Sequence, residues 1–371
     1  MNPATPAPMP LRLGAFSRFT PCSPMPLAQL AAAVRHLARP SRPTPQKHPQ
    51  RQAKHPLRDT ARRFGLSAGL GLGLALCPLA QASSLSNAGD GGPGLSFQFC
   101  AGGKPQSAQQ QDRVLQFAAA IRQALQASGE DVALIGRSGM DLSRFGLRYS
   151  HAGVLLRSEG EVPWSVRQLY YDCELGQPRL FDQGLAGFLM SAEAPDLAFV
   201  SVVLLPREQA RALREAALDH ARVSRLLAAT YSANAYPFST RYQNCNQWVA
   251  ELLATAWAPL ADGPQLRERA QSWLQHTGYA PQPVAIDSHL TKLVGSLLPL
   301  VHLDDHPADV QLGMAFQFSL PDSIEHFVRQ RAPEARRIEF CHDDKHIVVR
   351  EGWQPMGEHC TPAPGDRVLP L

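Results

Sequence analysis

The run Tyr242-Gln243-Asn244-Cys245-Asn246-Gln247-Trp248-Val249 puts a cysteine where a polar, loop-like stretch turns into an amphipathic pattern. Apolar residues then recur at Trp248, Val249, Leu252, Leu253 and Ala256, the i, i+3, i+4, i+7 rhythm of a helix with one buried face. The spacing predicts a helix from Cys245 to Trp257, stopped before Pro259, with the thiol in its first turn. Unpaired backbone N–H groups and the positive end of the helix dipole stabilise a thiolate there, so a lowered thiol pKa and nucleophilic chemistry are expected. A nucleophilic thiol also needs a base to take its proton and return it to the leaving group, a task that suits histidine. Of the 13 histidines, His151 is best placed: it opens a predicted strand, and the small pair Ala152-Gly153 after it leaves room for another element to approach.

The elements that must position these residues follow from periodicity. Residues 95–100 alternate like a short strand, Val114, Leu115, Phe117, Ala118, Ile121 and Leu125 mark a helix over 111–128, and 131–136 reads as a strand leading into a polar loop over 137–144. Strands at 149–156 and 164–173 form an antiparallel hairpin. A helix over 180–190, a strand over 197–205 and one long Arg-rich helix over 207–230 follow, and a further helix lies at 265–275. The tail reads as a helix over 322–331 and two strands, 337–340 and 347–350, around the turn Cys341-His342-Asp343-Asp344-Lys345.

Tyr149-Ser150-His151-Ala152-Gly153-Val154 with the strand after it, then Asn244-Cys245-Asn246-Gln247-Trp248-Val249 further along, resembles the circularly permuted branch of the NlpC/P60 and papain-like superfamily. In that branch, which includes YiiX-like and lecithin:retinol acyltransferase-like proteins, the His-bearing strand precedes the Cys-bearing helix. The span 95–355 is also similar to the DUF2145 family of uncharacterised bacterial exported proteins. The resemblance implies an α+β fold, an antiparallel sheet packed on the Cys-bearing helix, with a flanking C-terminal helix and hairpin. It also implies Cys245 as nucleophile and His151 as base, with a polar residue on the next strand orienting the imidazole. That strand offers Gln168, which interrupts the apolar face Trp164, Val166 and so turns towards His151, and alternatively Asp172, nearer the turn. For the oxyanion, the Cys245 backbone N–H is the first donor, with Gln243 and Tyr149 as side-chain candidates, while Asn244 and Asn246 could cap the helix.

Charge and cysteine usage bound the setting. Residues 1–82 hold eleven of the 36 Lys and Arg but one of the 32 Asp and Glu, so the basic balance belongs to that segment and the rest is acidic. The remainder therefore gives no electrostatic argument for binding nucleic acid, which needs a basic face on the folded part. The segment reads as a Pro- and Arg-rich leader followed by a signal peptide: basic Arg58 to Arg63, apolar Phe64 to Leu79, then Ala80-Gln81-Ala82 as a cleavage site, with a linker over 83–95. Export to the bacterial periplasm is therefore expected, with no stable membrane span after cleavage. Beyond the linker, 96–275 is expected to form the papain-like domain and 276–371 an extension packed on it. Cys100, Cys173, Cys341 and Cys360 could form two disulfides in any of three pairings, leaving Cys245 free.

The function expected is thiol-based hydrolysis or acyl transfer on a small-molecule, peptide or acylated envelope substrate, without a cofactor. Two other readings stand beside it. One is a non-catalytic envelope binding protein on the same fold. The other is a metal-binding protein using His302, Asp304, Asp305 and His306 together with His342, Asp343, Asp344 and His346.

Overall fold

The computed structural model describes residues 106–139, 142–158, 164–190, 196–281, 283–296 and 298–371. The leader, the signal-peptide segment, the linker, Cys100 and the strand predicted at 95–100 lie outside the described residues. Every described residue belongs to the unit containing Pro93–Leu371.

Helix α1 (Ala108–Ser128) is opened by a capping box in which Ser107 and Gln110 exchange hydrogen bonds, and closed by Gly129 at φ 74°. Then come β1 (Val132–Arg137), β2 (His151–Arg157), β3 (Trp164–Asp172), β4 (Gln177–Gly184), α2 (Leu185–Met190) and β5 (Ala198–Leu204). Helices α3 (Arg207–Leu218), α4 (His220–Arg225), α5 (Cys245–Trp257) and α6 (Leu266–His276) follow. The C-terminal part adds a two-stranded ribbon, β6 (Val284–Ala285) with β7 (Ala315–Phe316), and between them α7 (His289–Ser296) and α8 (Ala308–Leu312). It ends with α9 (Pro321–Arg331), β8 (Arg336–His342), β9 (His346–Glu351) and β10 (Arg367–Pro370).

Eight strands form one antiparallel sheet in the order β10-β9-β8-β5-β1-β2-β3-β4. Both faces are covered. On one, Ile135, Leu155, Val166, Val200 and Phe340 pack under α1 and α2. On the other, Leu134, Val154, Leu169 and Val203 pack under α3, α5, α6 and α9. This is why β1 is buried at all six positions instead of alternating with solvent. No described helix is long and apolar enough to cross a membrane.

Three expectations change. Residues 177–184 form an edge strand, not the start of a helix: β4 pairs with β3 from Ser165 opposite Gly184 to Asp172 opposite Gln177. The long helix over 207–230 is divided at Asp219, whose carboxylate accepts from the Ala221 and Arg222 N–H groups and starts α4 afresh. The region 276–371 is more than an extension packed on a finished domain, since β8 pairs with β5 along seven residues and carries β9 and β10 into the same sheet.

Helix α5 is buried from Cys245 to Thr255, which a single apolar face did not foretell. Glu251, fully buried on that helix, accepts from Arg267 at 2.8 and 3.0 Å, from Gln243 at 2.6 Å and from Gln271 at 2.7 Å. Arg267 also donates to the Thr240 and Tyr242 carbonyls, which fixes the loop entering α5. Removing the carboxylate strands a buried guanidinium and two amides. Glu251→Ala should therefore cost about 3–5 kcal/mol in denaturant unfolding, and a loss below about 1 kcal/mol, the range of exposed pairs, would contradict this role.

Candidate functional site

Asn244 supplies the N-cap of α5: its side-chain oxygen accepts from the Gln247 N–H at 2.7 Å, and its amide donates to the Ala233 and Ser319 carbonyls. Cys245 is the next residue, the first of the helix, 6% exposed and a free thiol. Asn246 does more than extend the helix. Its oxygen accepts from the Ala152 N–H at 2.8 Å, and its amide donates to the Ser150 carbonyl at 3.1 Å and to the Ser319 carbonyl at 3.1 Å. Ser150 and Ala152 flank His151, so one asparagine side chain fastens the cysteine-bearing turn to the strand on both sides of the histidine.

His151 is 5% exposed and its Nε2 lies 2.8 Å from Gln168 Oε1. The Gln168 amide donates to Gln183 Oε1 at 2.9 Å, which fixes the amide's orientation and turns its oxygen to the imidazole. His151 Nε2 therefore carries the proton and Nδ1 keeps a lone pair, a tautomer assigned from the hydrogen-bond network. Close strand packing makes this contact possible: a Cβ on Gly153 would lie 2.5 Å from Val166 Cγ1 and 3.1 Å from the Arg167 carbonyl oxygen. Tyr170 stacks on the imidazole with ring centroids 4.4 Å apart, and Phe188 of α2 closes the other approach at 5.8 Å. Arg137, the Cα partner of His151 across β1 and β2, donates to the Tyr170 hydroxyl at 2.7 Å. Tyr231 reaches the sulfur from the loop before α5 and hydrogen-bonds to Cys245.

Electrostatics overturns one expectation. Burial pushes the Cys245 thiol up to about 11, against the lowering effects of the Asn246 and Cys245 N–H groups, the Arg137 charge and the Tyr231 hydroxyl. The helix terminus acts in the expected direction but loses to desolvation. Burial, assisted by Arg137, drives His151 down to about 3, with the Gln168 hydrogen bond opposing. At neutral pH these shifts leave Cys245 a neutral thiol and His151 a neutral imidazole.

Other residues singled out in the sequence are placed elsewhere. Gln243 is no oxyanion donor: its amide donates to the Leu226 carbonyl and Glu251, and its oxygen accepts from the Ala228 N–H. Tyr149 is no oxyanion donor either, since its hydroxyl donates to Glu339 at 2.5 Å and accepts from Arg337. Asp172 accepts from the Glu174 and Leu175 N–H groups and so caps the β3–β4 turn instead of turning to His151. In the tail, Asp305 accepts from the Tyr236 N–H, His306 contacts the Asn234 carbonyl, His302 stacks on Tyr242, and Asp343 caps the β8–β9 turn. No group of three or more His, Cys, Asp or Glu side chains among the described residues is arranged to hold a metal ion. Cys341 pairs with Cys360, and Cys173 is also disulfide-bonded.

Arg137, Tyr170, Tyr231 and the bridging role of Asn246 were missed from sequence. For Tyr170 the signal was present, because the alternation Trp164, Val166, Gln168 continues to it. Arg137 sits at the boundary of a stretch read as loop, and Tyr231 is linked to the sulfur only by the tertiary fold. The Asn246 clamp is testable. Asn246→Leu leaves the Ser150 and Ser319 carbonyls and the Ala152 N–H without that partner, at about 1–3 kcal/mol for each group left unpaired. Urea unfolding should show a loss on the order of 3 kcal/mol, and an unchanged midpoint would remove the clamp.

No curated protein and no solved structure matches the chain. A family model described as "Uncharacterized protein conserved in bacteria (DUF2145)" matches residues 124–328, a span that contains the His151 strand, its Gln168 neighbour and the Cys245 helix. With more than half of its length matched, the chain belongs to the DUF2145 family.

Proposed function

We propose that the protein is an exported thiol hydrolase or acyltransferase of permuted papain-like type, with Cys245 as nucleophile and His151 as base. The observation that supports this reading is the Asn246 side chain, which ties the turn carrying the free Cys245 thiol to the backbone on both sides of His151, whose imidazole is oriented by Gln168 at 2.8 Å. The chain order, histidine strand before cysteine helix, also supports it. An oxidising compartment is supported by the Cys341–Cys360 disulfide beside the signal-like segment of the sequence. The substrate class proposed is an amide, ester or thioester of the cell envelope.

Because thiol and imidazole rest neutral, proton transfer accompanies attack. Cys245 Sγ bonds to the carbonyl carbon while its proton passes to His151 Nδ1, and the carbonyl electron pair moves onto oxygen. The Cys245 backbone N–H and the Tyr231 hydroxyl are the donors left to receive that oxyanion, Gln243 and Tyr149 being engaged elsewhere. His151 Nδ1–H then protonates the leaving nitrogen, oxygen or sulfur as its bond to carbon breaks, leaving a thioester on Cys245. Water, or an amine or alcohol acceptor, attacks that thioester as its proton passes to His151 Nδ1, and the C–S bond then breaks with His151 returning that proton to Sγ, which restores the thiol. Gln168 holds the ring but adds no negative charge, so imidazolium is stabilised less than by a carboxylate.

The resting state dictates the test. A plain alkylating agent such as iodoacetamide should label Cys245 slowly at neutral pH and faster only as the pH nears 11, whereas an activated ester should acylate it at neutral pH. Intact-mass analysis should show one acyl adduct, absent in Cys245→Ala and formed about 10²–10⁴ times more slowly in His151→Ala. Equal acylation with and without His151 would sink the pair, and no acylation at all would select the binding-protein reading, which the burial of both groups equally suits.

The pH profile follows from the same burial. With the imidazole pKa near 3, the base stays unprotonated across pH 5–8, so the acylation rate should be flat there instead of rising through the ordinary histidine value. The folded state also binds fewer protons at His151 than the unfolded chain between pH 6.5 and 3, so stability from this group is complete above 6.5 and lost as pH falls through that window. An acylation rate that titrates near 6.5 would mean that the imidazole is not desolvated in solution.

A further inference from the structure

Four arginines are buried among the described residues: Arg137, Arg167, Arg267 and Arg337. Three of them face carboxylates. Arg167 pairs with Asp182, Arg267 with Glu251, and Arg337 with both Glu325 and Glu339. Arg137, 1% exposed, faces no carboxylate among the described residues. Its Nη2 donates to the Tyr170 hydroxyl at 2.7 Å and its Nη1 to the Ser138 carbonyl at 3.3 Å, while Nε has no partner. The face of the group lies over the Phe188 ring, 5.1 Å from the centroid. A buried cation without an anion is costly, and three of four sites in this fold avoid that cost.

Its location says what would neutralise it. Arg137 is opposite His151 on the β1–β2 ladder, on the sheet face that also carries Tyr170, and its charge acts on both His151 and Cys245. Room for the guanidinium is kept by Gly139, where a Cβ would stand 2.6 Å from Arg137 Nη1 and 2.8 Å from Ser150 Oγ. Arg137 is joined to His151 through Tyr170, which it holds at 2.7 Å and which stacks on the imidazole at 4.4 Å, and its charge also reaches Cys245, so an acyl group on that thiol would lie in the field of this cation. We propose that Arg137 is a specificity-determining residue, selecting acyl substrates that carry a carboxylate close to the scissile carbonyl. This rests on Cys245 and His151 being the reacting pair.

Two esters that differ in one charge test it: the p-nitrophenyl ester of glutaric acid, with its second carboxylate free, and the same ester with that carboxylate methyl-capped. The full chain should acylate from the free acid with a kcat/KM at least about tenfold higher, one pair interaction's worth of discrimination. Arg137→Gln should bring the ratio towards one, and Arg137→Lys should retain part of it. A wild-type ratio at or below one overturns the proposal whether or not either variant folds. So does a ratio that survives Arg137→Gln, or an equal loss on both esters, which would make Arg137 a stabiliser of the oxyanion common to both.

A binding arm separates this from the hydrolase reading. Cys245→Ala protein, unable to react, is titrated with glutarate and with monomethyl glutarate at matched ionic strength, and its melting temperature is followed. Saturable stabilisation by glutarate alone, lost on adding Arg137→Gln, supports the anion site even if neither ester acylates Cys245, an outcome that removes the hydrolase. Acylation by both esters at equal rates, with no glutarate effect, removes the anion site and keeps the hydrolase.

Discussion

A helix without a solvent face sets the terms for the rest of this structure. From Cys245 to Thr255, α5 is enclosed by the sheet, by α3, α6 and α9, and by the loops that precede it, so its polar groups must find partners within the protein, and all but Gln247 Oε1 and Trp248 Nε1 among its side chains do. Asn244, Asn246, Gln247 and Glu251 are that requirement made visible. Each reaches a different part of the chain: Asn244 the Ala233 and Ser319 carbonyls, Asn246 the β2 backbone, Gln247 the carbonyls of Tyr236, Pro237 and Ser239, and Glu251 the side chains of α6. Polar residues in such a helix weaken it as a hydrophobic core element. They also define its rotation and height against the sheet, because a slip of one residue would leave several of these groups unpaired at once.

The same enclosure decides the acid–base character of the site. A helix N-terminus and a nearby guanidinium both favour a thiolate, and in an open cleft their sum would lower the thiol pKa. Here desolvation acts on the whole sulfur while those terms are partial charges and a cation already bonded to Tyr170, so the thiol rises and the imidazole falls. The two shifts have one cause and are coupled in consequence. In the thiol chemistry proposed, whatever admits a substrate carbonyl would change the environment of both groups together, so reactivity would be expressed with substrate present and stay low towards small alkylating agents.

How much of this could be read from the sequence depended on range. Local periodicity found α1, the β2–β3 hairpin, α5, α6 and α9, and the interruption of an apolar alternation by Gln168 was enough to place it beside His151. It failed where polarity is mixed and the pairing is distant. The strand β4, Gln-Pro-Arg-Leu-Phe-Asp-Gln-Gly, is half-exposed at the sheet edge and carries no strong signal of its own. The union of β8 with β5 joins residues more than a hundred positions apart and leaves no local trace. Gln243 and Tyr149 looked like free donors because they flank the key residues, but the carboxylates that engage them, Glu251 and Glu339, come from later in the chain.

Two buried arginines on this sheet stand in contrasting surroundings. Arg337 on β8 is surrounded by Glu325, Glu339, Ser201 and Tyr149, and Arg148 adds a second cation on Glu339. Within that cluster burial raises Glu325 to about 7, while its partners hold Glu339 below the usual carboxylate range, so the assembly adjusts its own protonation and needs nothing from outside. Arg137 on β1 has no carboxylate to adjust among the described residues. Its positive charge is left facing the one part of the molecule where groups change charge during a thiol reaction, and it depresses the pKa values of His151 and Cys245 alike. For a thiolate or a tetrahedral oxyanion that field is favourable, and for imidazolium it is unfavourable. A negatively charged group beside Arg137 would weaken both effects together, so its benefit lies in neutralising a buried cation and in holding a charged substrate in place.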